Sequence, residues 1–111
     1  MELIETSIFT RQITALLSDE DYARFQVRLA VNPLLGDLIK GGGGIRKVRV
    51  AAGGRGKRGG ARVIYYWAAR HDWILLLYAY SKTVTSDLTP RQVSQLAKAV
   101  REEFGNEEAT V

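Results

Sequence analysis

A chain of 111 residues has room for one domain, and 46% hydrophobic with 25% charged residues is the make-up of an ordinary globular protein rather than a disordered one. With no cysteine and one histidine, His71, it excludes a disulfide framework and a Cys/His zinc site and disfavours a histidine general base; no cofactor is expected. The formal charge of +4 and pI of about 9.6 point towards an acidic partner.

The first segment, Met1-Glu2-Leu3-Ile4-Glu5, is acidic where a signal peptide is basic, and no apolar run nears the roughly 20 residues of a membrane span, so a cytoplasmic protein is expected. Leu3 to Phe9 mixes apolar and β-branched residues and reads as a short strand. Thr10 then caps a short helix to about Leu17. Ser18 caps a second, with Asp19, Glu20 and Asp21 at its positive end and Tyr22, Phe25 and Leu29 along one face. Asn32-Pro33 ends it.

Leu34 to Gly44 is a connection closing on four glycines. Ile45 to Val50 alternates, with Val48 and Val50 on one side and Lys47 and Arg49 on the other: a half-buried strand with a basic outer face. Ala51 to Gly60 reads as a second glycine-rich loop. In the strand Arg62 to Trp67, Val63, Tyr65 and Trp67 oppose Arg62, while Tyr66 shares its side and is the aromatic best placed to be exposed to a base. His71-Asp72 marks a turn, and Trp73 to Tyr80 is apolar enough for a strand covered on both faces. Connections this short predict an antiparallel meander. Thr89-Pro90-Arg91-Gln92 is a capping box opening a last helix with the stripe Val93, Leu96, Ala97, Val100 and Phe104, stopped by Gly105. The predicted fold class is α+β: one domain over residues 1–105, mostly antiparallel sheet with an N-terminal helical hairpin and a C-terminal helix, then a flexible tail at 106–111.

Charge is segregated along this order. Lys40, Arg46, Lys47, Arg49, Arg55, Lys57, Arg58, Arg62 and Arg70 fall in one stretch, and no Asp or Glu lies between Leu38 and His71. Such clustering repels itself and is easiest to understand if a polyanion sits there. Gly53 to Lys57 superficially suggests a phosphate loop, but Arg58 follows Lys57 where Ser or Thr belongs, and a strand follows where a helix belongs. A nucleotide-hydrolase site is rejected. The alternative is a basic hairpin on which Lys47, Arg49 and Arg62 emerge together, with Lys57, Arg58 and Lys82 nearby. RNA brings its own 2′-hydroxyl nucleophile, arginines neutralise the charge growing on phosphorus, and a lysine crowded by cations moves protons nearer neutral pH.

Asn32-Pro33-Leu34-Leu35-Gly36-Asp37-Leu38-Ile39, Gly43-Gly44-Ile45-Arg46-Lys47-Val48-Arg49, Gly56-Lys57-Arg58-Gly59-Gly60-Ala61-Arg62-Val63-Ile64-Tyr65-Tyr66 and the later Tyr80-Ser81-Lys82 with Ser86-Asp87-Leu88 closely resemble the HigB-like (RelE-type) toxins of the RelE/ParE superfamily, in order and over nearly the whole chain. The resemblance implies the RelE-like fold. It also implies a toxin of a type II toxin-antitoxin system: a metal-independent, ribosome-dependent endoribonuclease, or mRNA interferase, that cuts messenger RNA at the A site of the small subunit and inhibits translation. It further implies a cognate helix-turn-helix antitoxin, with operator DNA reached only through that antitoxin and no membrane partner. By motif position it implies catalytic roles for Lys47, Arg49, Lys57, Arg62 and Lys82, and RNA contacts by Arg46, Arg55, Arg58 and Tyr66. Thr83-Val84 stands where relatives commonly carry Asn-Glu or a basic residue, a departure that bears on codon preference and rate. Two rivals share the fold or the charge: a ParE-type gyrase-inhibiting toxin without nuclease activity, and a non-catalytic RNA- or ribosome-binding module.

Overall fold

The sheet has the order β1-β5-β4-β3-β2. The computed structural model describes residues 1–52, 56–82 and 87–104. Its elements in chain order are β1 (Glu2–Glu5), α1 (Ser7–Leu16), α2 (Asp19–Val31), β2 (Asp37–Leu38), β3 (Arg46–Ala52), β4 (Gly56–Ala68), β5 (Trp73–Ser81) and α3 (Pro90–Phe104). β3, β4 and β5 form the expected antiparallel meander, and β1 adds to β5 in parallel. The tail expected at 106–111 and the Thr83-Val84 departure lie outside the described residues.

Helices cover both faces of the sheet. Phe9 and Ile13 of α1 and Phe25 and Leu29 of α2 pack with Val48, Val50, Val63 and Tyr65 in one core. Ile45, Ile64, Tyr66, Leu77 and Tyr80 form the other, closed by Val93, Leu96 and Val100 of α3. β5 is therefore apolar on both sides because both sides are covered. Among the described residues no helix is long and apolar enough to cross a membrane.

Two boundaries differ from expectation. The first strand stops at Glu5, and α1 begins at Ser7 with Thr6, not Thr10, as its cap. Thr6 Oγ1 accepts the Phe9 amide at 3.0 Å and donates to the Leu77 carbonyl at 3.1 Å, so the cap also ties the helix to β5. Phe9 and Ile13 lie one helical turn apart and share the buried face, which outweighs the β-branched look of the segment. The glycine-rich loop at Ala51 to Gly60 is also shorter than expected, for β3 runs to Ala52 and β4 starts at Gly56. Glycine permits this: a Cβ on Gly60 would stand 2.8 Å from the Val50 carbonyl oxygen, beside the irregularity between Val50 and Ala52. The α2 and α3 starts are as expected. Ser18 Oγ accepts from the Asp21 amide, and Thr89 and Gln92 exchange both bonds of a capping box at 3.1 and 2.8 Å.

Candidate nucleic-acid interface

Strand alternation delivers three of the expected cations to one face. Val48 and Val50 enter the core beneath α1 and α2, so Lys47 and Arg49 project from the opposite side of β3. Val63 and Tyr65 enter that same core, which sends Arg62 and Ile64 to the side of Lys47 and Arg49. The register then sets Arg49 directly across from Arg62, and Lys47 across from Ile64. On its other flank Arg62 lies across from Tyr80.

Arg62 is only 9% exposed, whereas Arg49 stands in solvent. Among the described residues no carboxylate or hydrogen-bond acceptor meets Arg62. Like charges directly opposite on paired strands destabilise them, and a largely buried cation with no counter-ion costs more still. A bound anion removes both penalties.

Lys47 is not surrounded by cations alone, which corrects the expected setting. Its Nζ lies 3.0 Å from Asp87 Oδ1, an oxygen that also accepts from the Tyr80 hydroxyl at 3.4 Å and the Leu88 amide at 2.9 Å. The hydrogen bond from Lys47, then that from Leu88, hold the Asp87 carboxyl below the usual carboxylate range. Burial first, and the Asp87 charge second, push the Tyr80 phenol up to about 12 against the pull of Arg62. At neutral pH the face thus presents an ionised Asp87 beside a protonated Tyr80. The Lys47–Asp87 pair stays at the surface, its side chains 31% and 62% exposed. Pairs so placed stabilise by about 0.5 kcal/mol, so exchanging the carboxylate for another anion costs little.

The sequence matches the family described as the RelE toxin of the RelE / RelB toxin-antitoxin system over residues 4–110. The chain belongs to the RelE toxin family. It is accordingly the toxin half of a toxin-antitoxin pair and has an antitoxin as partner.

In this RelE toxin the remaining expected site residues fall in different places. Lys82 is exposed, one residue past the end of β5. Arg46 lies on the other face: it pairs in register with Tyr65, and its Nη1 donates to the Gly36 carbonyl at 2.7 Å. There it joins the Tyr65 hydroxyl, which donates to the Pro33 carbonyl and accepts from the Gly36 amide, in fastening the connection after α2. Arg46 is thus a structural residue away from Lys47 and Arg49. Tyr66 does share the side of Arg62, but it is 3% exposed beneath α3 and the 43–45 turn, so no base reaches its ring. Arg55 and the side chains of Lys57 and Arg58 lie outside the described residues.

Asp87 and the Tyr80 hydroxyl are the members that sequence reasoning left without a role. A signal for Asp87 exists: it is the lone acid between Asp72 and Glu102, standing just ahead of the capping box of α3.

Proposed function

We propose that this RelE toxin is HigB-like: a metal-independent endoribonuclease of the cytoplasm that cuts messenger RNA in the ribosomal A site and so inhibits translation. The observation that carries this is Arg49 set directly opposite a nearly buried Arg62, with Lys47 two residues along the same strand. Two arginines brought together against their own repulsion form a receptor for one phosphodiester, since each guanidinium can donate twice to its oxygens.

The chemistry asks little more of the protein. As the 2′-oxygen bonds to phosphorus and the 5′-oxygen departs, negative charge gathers on the non-bridging oxygens, where Arg62 and Arg49 neutralise it. Lys47, released from Asp87, moves with the phosphate as a mobile cation. A lysine that enters as the neutral amine, Lys57 or Lys82, takes the 2′-hydroxyl proton, and a lysine ammonium, that of Lys47 included, or the protonated Tyr80 phenol beside Arg62 gives one to the leaving 5′-oxygen. The antitoxin expected for the HigB-like type carries a helix-turn-helix domain, and operator DNA is bound through it.

The test is expression of the wild type and of Arg62→Ala with mapping of message ends by primer extension. Wild type is expected to give codon-phased cuts within coding regions. Arg62→Ala is expected to give none and to restore growth, while still binding antitoxin as proof of folding. DNA damage with intact messages, the mark of gyrase poisoning, contradicts the proposal, as does an Arg62→Ala protein that remains fully toxic.

A further inference from the structure

Beside the basic face a cleft of about 560 Å³ opens between the end of β2 and the first turns of α3. Lys47 and Asp87 form the wall it shares with the cationic surface, so the cleft continues that surface. Its remaining wall includes Ile39 and Val93 as apolar flanks and Asp37 and Ser94 as polar edges. Asp37 sits directly across from Lys47 in the β2–β3 register, yet its carboxylate makes no hydrogen bond or ion pair among the described residues.

We infer that this cleft receives one nucleobase of the message next to the cleaved linkage, and that it favours bases carrying an exocyclic amino group over uracil. The inference rests on the RNA-cleaving role proposed above. Single-stranded RNA is read by splaying a base out of its stack, flanking its faces and bonding its edge. Apolar flanks with acceptor-only carboxylates at the rim suit that geometry. A carboxylate such as that of Asp37 takes hydrogen bonds as an acceptor, and so does that of Asp87 once Lys47 has turned to the phosphate. Adenine, cytosine and guanine each offer an amino donor to such oxygens. Uracil offers two carbonyl oxygens flanking one N–H, and carboxylates facing carbonyls repel.

The test uses translating ribosomes programmed with messages that differ only in the base beside the cut. Wild type is expected to cleave amino-bearing bases about tenfold faster than uracil, the size of discrimination one good edge contact supplies. Asp37→Asn, whose amide also donates, is expected to bring that ratio close to one. Ser94→Trp, filling the cleft from an exposed helical position, is expected to raise KM on every message. Both side chains lie at the surface, and circular dichroism confirms that each variant is folded. A wild-type protein that cuts uracil equally well overturns the inference, as does an unchanged ratio in Asp37→Asn. So does a Ser94→Trp protein that cuts normally but escapes its antitoxin, for then the cleft docks protein. A wild type that cuts no message at all defeats the nuclease role instead.

Discussion

Arg49 and Arg62 show how a single register position can hold two like charges face to face. Paired like charges without an intervening carboxylate destabilise the strand pair by a few tenths to one kcal/mol. Replacing the exposed member, Arg49→Gln, is therefore expected to raise unfolding stability by about 0.5 kcal/mol while lowering cleavage. Denaturant melts of the two proteins read this directly, and a less stable variant contradicts the repulsion. Lys47, Arg49 and Arg62 were legible in the sequence because side chains in a strand alternate with period two, so their common face follows once the valines are assigned to the core. The same period places Arg46 on the far side, a consequence that motif position alone obscures. Asp87 was not legible as a partner: its contact with Lys47 spans 40 residues, and no local pattern reports it. Tyr66 was assigned correctly to a side and wrongly to solvent, because whether α3 covers that part of the sheet is a tertiary fact.

Among the elements, those with strong local chemistry matched their sequence signals. The Thr89–Gln92 box fixes the start of α3 and so the position of Asp87 just before it. The start of α1 was misplaced because its decisive bond is not local: Thr6 reaches the carbonyl of Leu77 in β5. Losing both bonds in Thr6→Ala is expected to cost about 2 kcal/mol, one part for the cap and one for the carbonyl left without its donor. Since α1 packs on the face away from Arg49 and Arg62, cleavage by the folded variant should match wild type. A melt paired with a cleavage assay checks both halves. An unchanged melting point would mean that the cap carries no weight.

For the whole molecule, the division of labour lies between the two faces of one sheet. α1 and α2 seal one side, and α3 seals only part of the other, leaving Lys47 beside its N-terminal end and Arg49 and Arg62 further along the same face. The α+β class and the helical cover were visible from periodicity and the meander from the shortness of its connections, whereas the parallel pairing of β1 with β5 joins the two ends of the fold and carries no local mark. Because the face is cationic, ribosome binding is expected to weaken as salt rises, with the slope of log affinity against log salt reduced by about one in Arg49→Gln. A salt-independent affinity would deny the face its phosphates.

The most direct measurement is single-turnover cleavage of an A-site codon on programmed ribosomes by wild type and Arg62→Ala. Wild type should cut the message, and the variant, folded and still bound by antitoxin, should be slower by a factor on the order of a hundred or more. Equal rates would show that the phosphate is not held between Arg49 and Arg62.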